Sequence, residues 1–280
     1  MPLRTDLLVD PFDARWPELL AAALAAEEAG FDGVWTWDHL AGGVHGQDRV
    51  LECWTVLSAL AGLLGRMSIG PLVLNVANRH PGLVATMAAT LQELSGGRLL
   101  LGLGAGGGAD TPYAAEQSAL GREVGSDAAR RRQVAEAVDV IRQLWTGRAD
   151  RFDGRYYRLG RADGFVRPDP APPIVIGAFG PKMAELAGRA GDGINTQAGH
   201  PRLGELIDRA RAAHAATARD PAGFLVTVFA GLERRWLDAA SPDRARLRDL
   251  GVDRVILLVH PPFDVERIRA AGRMLNAAGG

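Results

Sequence analysis

Short apolar runs alternate with longer Ala- and Leu-rich amphipathic stretches along this chain, and that alternation restricts the fold more than any other feature. The apolar runs, at 5–9, 33–37, 67–75, 98–104, 174–176, 193–195, 225–229 and 255–259, read as strands. Helical stretches follow each of them, at 16–29, 51–64, 81–94, 127–145, 182–190, 202–216, 242–250 and 264–277. Local punctuation agrees: Gly30 stops the first helix, Pro81 opens the third and Ser95-Gly96-Gly97 ends it. The run at 98–104 is continuously apolar, as a parallel strand covered on both faces requires. Strand–helix repeats of this kind build either an open doubly wound sheet or a closed barrel. A dinucleotide-binding half places Gly-x-Gly-x-x-Gly directly after its first strand, whereas here Asp10-Pro11-Phe12-Asp13 follows. The glycine-rich turn comes only after the fourth strand. The expected fold is therefore α/β, a single (β/α)8 TIM barrel over residues 1–280, with a glycine-rich insertion at 106–125 after strand four. The length supports this, since 280 residues allow about 35 for each unit.

With 47 % hydrophobic and 23 % charged residues, the chain has ample material for a core. Lys+Arg 32 against Asp+Glu 33 leaves a net charge of −1, so neither the total nor the run Arg130-Arg131-Arg132 argues for nucleic acid. One cysteine, Cys53, excludes an intramolecular disulfide, and its apolar helix suits an inert buried thiol. Residues 2–13 are too polar for a signal peptide, and no apolar stretch reaches the span of about 18 residues that a membrane helix takes. A cytoplasmic protein with no membrane partner is expected. Lys182 is the sole lysine and sits at a helix start, which gives Schiff-base chemistry little support.

In a barrel the chemistry lies at the carboxyl ends of the strands. Those ends carry Asp10, Asp38-His39, Asn75-Val76, Gly104-Ala105-Gly106-Gly107, Gly177-Ala178-Phe179-Gly180, Asn195-Thr196-Gln197 and His260. Asp38-His39 is the sharpest pair, because a hydrophobic strand switches abruptly to two ionisable groups. His39 is suited to moving a proton near neutral pH, with Asp38 orienting it or holding a polar edge of a ligand. The structural reading is a helix cap beside a core histidine. The two glycine turns offer bare backbone N–H groups to a phosphate, the second at a helix start; plain tight turns are the alternative. The six histidines are scattered and form no metal-binding pattern, and no Gly-x-Ser-x-Gly nucleophile turn occurs.

Several segments resemble the luciferase-like monooxygenase superfamily, above all its branch of oxidoreductases that use the deazaflavin coenzyme F420. They are Glu28-Ala29-Gly30-Phe31-Asp32-Gly33-Val34-Trp35, Trp37-Asp38-His39-Leu40, Arg79-His80-Pro81 and Leu94-Ser95-Gly96-Gly97-Arg98-Leu99. Leu101-Gly102-Leu103-Gly104-Ala105-Gly106, Pro173-Ile174-Val175-Ile176-Gly177 to Gly180-Pro181, and Ala190-Gly191-Asp192-Gly193 continue the likeness in order. The resemblance implies hydride transfer between coenzyme F420 and a small organic substrate, in a homodimer. The alternatives are an FMN-dependent monooxygenase using reduced flavin and O2, and a non-catalytic flavin-fold binding protein. It implies that Asp38 hydrogen-bonds the deazaflavin ring and that His39 is the acid–base or electrostatic partner. It places Asn75 and Val76 at a non-prolyl cis peptide bracing the ring, and Ala105 and Gly106 beside the cofactor tail. Gly177, Ala178, Phe179 and Gly180 match the phosphate-binding turn. Gly107 stands where the sugar-phosphate dehydrogenases of the branch have glutamate, and their substrate-phosphate lysines are missing, which disfavours a sugar phosphate. The compact connection between strands seven and eight favours hydride transfer over oxygen chemistry, which needs a long shielding lid. Trp35, Trp37, Tyr113 and Phe179 are candidates to wall an apolar pocket, though any one alone is more often core.

Overall fold

The structure is a computed structural model that describes residues 2–277. The apolar runs form β1 (Arg4–Val9), β2 (Gly33–Thr36), β3 (Ser68–Pro71), β4 (Leu101–Gly104), β5 (Ile174–Gly177), β6 (Gly193–Gln197), β7 (Leu225–Gly231) and β8 (Arg254–Val259). Between and after them run α1 (Trp16–Ala29), α2 (Cys53–Leu63), α3 (Pro81–Leu94), α4 (Asp127–Leu144), α5 (Pro181–Ala190), α6 (Leu203–Ala215), α7 (Pro242–Asp249) and α8 (Val265–Ala277). Glu52 opens α2 by accepting from the amides of Trp54 and Thr55, and His80 does the same for α3 through Gly82. No helix among the described residues is long and apolar enough to cross a membrane.

All eight strands are parallel and lie in the order β3-β2-β1-β8-β7-β6-β5-β4, with Leu74–Asn75 paired on the outer side of β4. The first and last strands meet over six residue pairs, from Arg4 opposite Arg254 to Val9 opposite Val259. Ser68–Pro71 and Leu74–Asn75 are consecutive pieces of one stretch, the first on β2 and the second on β4, so the sheet is nearly closed. Ile69 adds a bridge to Leu99 across the remaining gap.

Two expectations about this stretch are corrected. The run at 67–75 is not one strand, and the non-prolyl cis peptide lies at Leu72–Val73 rather than Asn75–Val76. The reason is visible in the ladder. Leu72 still donates to Thr36 of β2 at 2.9 Å, whereas Val76 donates to Gly104 at 3.0 Å, so the change of neighbour falls between them.

Most of the core lies between sheet and helices. A second cluster, Leu8, Trp35, Leu72, Leu100 and Ile256, fills the inside of the sheet. Trp35 is fully buried there, and its indole N–H donates to Asp6 at 2.8 Å. Asp6 in turn takes two hydrogen bonds from Arg254, at 2.7 and 2.9 Å. The flat indole covers Gly70 so closely that a Cβ there would lie 2.6 Å from its ring. Trp35 is thus a plug, not a pocket wall. Side chains alternate along a strand, so Trp37, two residues nearer the carboxyl end, reaches the open mouth while Trp35 stays below.

After β4 the glycine-rich insertion contains one short helix, Ala114–Ala119, before α4 begins. Between α4 and β5 a small hairpin pairs Phe152–Asp153 antiparallel to Arg158–Leu159, beside a second ribbon of Arg148–Ala149 and Ala162–Asp163.

Candidate active site

A cavity of about 900 Å³ opens at the carboxyl ends of the strands. Of the residues picked out in the sequence, Asp38, His39, Asn75, Ala105, Gly106, Gly177, Phe179 and Gly180 line it. Val76 and Ala178 do not. Val76 is buried and its carbonyl accepts the Tyr157 hydroxyl at 3.1 Å; Ala178 is buried and donates to the Asn195 carbonyl at 2.8 Å. Residues adjacent to a turn alternate between wall and core, and these two face the core.

The cavity floor is made by close approach. Val73 lies over β4 and β5, where a Cβ on Gly104 or Gly177 would sit 2.5 or 3.0 Å from its methyl group. Gly106 has φ +69°, and a Cβ there would meet the side-chain Nδ2 of Asn75 at 2.4 Å. These glycines are needed for packing as much as for any ligand.

Asp38 is bound on every side. Its Oδ2 accepts from the Asn75 amide at 2.9 Å and from Arg79 at 2.9 Å, and its Oδ1 accepts from Arg79 at 2.8 Å. Arg79 also reaches Glu52, so one guanidinium joins two carboxylates under the cavity wall. Burial disfavours the Arg79 charge, but the hydrogen bonds and charges of Asp38 and Glu52 outweigh it and hold its pKa above the usual range.

His39 is not packed into the core; its side chain is 19 % exposed and turns to the cavity. Its Nδ1 lies 3.2 Å from a Glu116 carboxylate oxygen. Glu116 comes from the short insertion helix and also accepts from the amides of Leu40 and Ala41, at 2.8 and 3.0 Å. Burial pushes the Glu116 pKa up, but the bonds from His39, Ala41 and Leu40 prevail and lower it. An ionised Glu116 requires a hydrogen on Nδ1, which leaves Nε2 for a ligand. Around this pair stand Trp37, Tyr113 and His45, with Phe12 behind.

The cavity also carries positive charge: Arg130, Arg131 and Lys182 line it, with Asp127 and with Gly180 and Pro181 at the start of α5. Arg130 donates to the carbonyls of Ala105 and Gly106 and pairs with Asp127 at 2.6 Å. Its Nε is buried and has no partner among the described residues. Phe179 is 57 % exposed, edge-on to Phe229 at 6.2 Å. Asp10 and His260 pair at 2.6 Å at strand ends outside this cavity.

Glu116, Arg79, His45, Arg130 and Arg131 were not assigned roles from sequence. Gly107 was the one available signal, because a carboxylate missing there invites the question of which other one serves His39.

Fold and site together define a barrel-like α/β protein with an imidazole–carboxylate pair and several cationic side chains lining one cavity. Residues 4–232 match the luciferase-like monooxygenase family, and the chain belongs to that family. The F420-dependent glucose-6-phosphate dehydrogenase of Nakamurella multipartita is 37 % identical over 183 residues, 65 % of this chain and 52 % of that protein. The 5,10-methylenetetrahydromethanopterin reductase of Archaeoglobus fulgidus is 31 % identical over 270 residues, 95 % of this chain and 74 % of that one. The chain thus spans about half the length of the dehydrogenase relatives it matches. Among solved structures, an F420-dependent secondary alcohol dehydrogenase in complex with an F420–acetone adduct superposes with TM-score 0.86. Its identity is 22 % with 99 % of both chains covered, and the likeness is one of fold.

Proposed function

We propose that this protein is an F420-dependent oxidoreductase that transfers a hydride between the deazaflavin and a small uncharged organic substrate, within a single (β/α)8 domain over residues 1–280. The observation that carries this reading is that one cavity is lined by both the His39–Glu116 pair and the cationic side chains of Arg130, Arg131 and Lys182. Relatives named for the same coenzyme support it. The site fits the coenzyme. Arg130, Arg131, Lys182 and the start of α5 would hold its phosphate, with Gly106, Gly177 and Gly180 leaving the backbone bare.

When bound, the deazaflavin supplies the two-electron hydride chemistry. The protein's part is orientation and proton handling. His39, its Nδ1 fixed by Glu116, presents Nε2 to the substrate oxygen that gains or loses a proton. Asp38 is a positioning residue: its oxygens secure Arg79 and the Asn75 amide, which keeps the cavity wall in place. Arg79, held by Asp38 and Glu52, does not line the cavity and is not offered to a phosphorylated substrate. A neutral alcohol or carbonyl compound fits between the rings of Trp37, Tyr113 and His45.

Fluorescence titration with coenzyme F420 and with FMN tests the assignment, followed by turnover against a panel of neutral alcohols and carbonyl compounds. Tighter binding of F420 is expected. Preference for FMN would make the protein a flavin-dependent monooxygenase, and binding of neither would leave a non-catalytic binding protein. The homodimer is likewise a proposal, supported by the exposed Leu63, Leu83 and Leu94 on α2 and α3. Light scattering that gives a monomer at micromolar concentration overturns it.

A further inference from the structure

His45 lines the cavity beside His39 and takes no part in the proton handling that falls to His39. It ends a one-turn helix, Gly42–His45. Its ring is stacked on Trp37 at 5.9 Å and 9°, and His39 meets it edge-on at 5.4 Å and 86°. Phe12 and Tyr113 close the cluster at 4.4 and 5.4 Å. These are all contacts between rings. His39 is tethered by Glu116, whereas neither His45 nitrogen is hydrogen-bonded to another described residue. Held by its faces, this imidazole keeps both nitrogens for whatever occupies the cavity.

We propose that His45 is a second catalytic imidazole, acting with His39 on the same substrate oxygen. The inference rests on the oxidoreductase reading. When a hydroxyl substrate is oxidised, its O–H bond breaks and the proton passes to His39 Nε2, while the C–H electron pair leaves as hydride to the deazaflavin. His45 donates its own N–H to that oxygen and remains neutral throughout. In the reverse direction the His39 imidazolium returns the proton to the carbonyl oxygen, which His45 again holds.

The surroundings keep His45 in the required form. Burial and the neighbouring His39 and His260 lower its pKa, and this outweighs the raising influence of Asp10 and Glu116. Tyr113 is the remaining titratable group in contact with the ring. A neutral imidazole next to one that takes up a proton divides the work: one nitrogen accepts, the other donates.

Two measurements test this. In the free protein, NMR titration of the His45 ring in wild type and His39→Gln should show the midpoint rising by about 0.5–2 pH units when His39 is removed. An unmoved midpoint overturns the pairing. In turnover with coenzyme F420, His45→Gln and His45→Phe should each lose about 10–100-fold in kcat with F420 affinity nearly unchanged. Phenylalanine keeps the stack on Trp37 but has no N–H, so a His45→Phe enzyme with wild-type kcat reduces His45 to packing and overturns the proposal. That result is distinct from failure of the cofactor reading, in which the wild-type protein itself binds no F420.

Discussion

At His39 the deciding contact comes from 77 residues further along the chain, where Glu116 reaches back to its Nδ1. Adjacent residues here have different duties. His39→Ala should lower kcat by about 10²–10⁴-fold while F420 affinity changes by less than about tenfold, because a general acid or base acts in the transition state. Asp38→Asn should act on stability instead, by about 1–3 kcal/mol in urea unfolding, since it weakens the bidentate pair with Arg79 while Glu52 still holds the guanidinium. An Asp38→Asn protein of normal stability but weakened F420 binding would return the aspartate to the ring. Glu116 adds a pH signature. Its folded pKa lies below the unfolded value of 4.5, so its contribution is full above that pH and is lost as pH falls through the folded value. Glu116→Gln should therefore destabilise by about 1–3 kcal/mol at pH 7 and by progressively less as pH falls below 4.5, as read from urea midpoints. Asp38-His39 was legible because a strand end is a local event. Glu116 was not, because a polar, glycine-rich insertion carries no periodicity that says where its carboxylate will land.

Among elements, α4 changes meaning most between sequence and structure. The run Arg130-Arg131-Arg132 is too small a basic patch for nucleic acid, and near the start of α4 its first two members line the cavity. Arg130→Ala should weaken coenzyme F420 by about 10–100-fold, and the loss should shrink as salt is added. A deazariboflavin without the phosphate should bind the variant within about threefold of wild type, in the same fluorescence titration. Equal losses for both ligands would mean that Arg130 serves only to hold the Ala105–Gly106 turn. The third strand is the other surprise. Its composition reads as one continuous run, yet the chain changes partner at Leu72–Val73, because β2 and β4 are satisfied by different pieces of it. Hydrophobicity reports burial, and burial is continuous across that break.

For the whole molecule, the interior of the sheet is held by a polar group inside an apolar ring. Arg254 and Asp6 are 3 % and 0 % exposed as side chains, with Trp35 bonded to the same carboxylate. Asp6→Ala leaves a buried guanidinium without its partner and should cost about 3–5 kcal/mol in urea unfolding. The double change Asp6→Leu with Arg254→Met should cost markedly less, which a double-mutant cycle measures. Additive losses would show that Asp6 and Arg254 are not coupled through the plug. The folded fraction of each should still bind F420, since the plug lies beneath the cavity. The strand–helix alternation made the barrel-like arrangement readable from sequence. It did not distinguish Trp35 from Trp37, because both fall on the inner face and differ only in depth.

The sequence by itself determined the order and kind of the elements, the parallel sheet and the end of it at which the cavity opens. Each of these follows from periodicity and turn chemistry within about 20 residues. Only the tertiary structure decided which charges meet: Arg79 with Asp38 across 41 positions, Glu116 with His39 across 77, and Arg254 with Asp6 across 248. The physical reason is that local pattern records which residues leave water, whereas a buried charge is satisfied by whichever opposite charge the closing sheet and its insertion bring within hydrogen-bond distance.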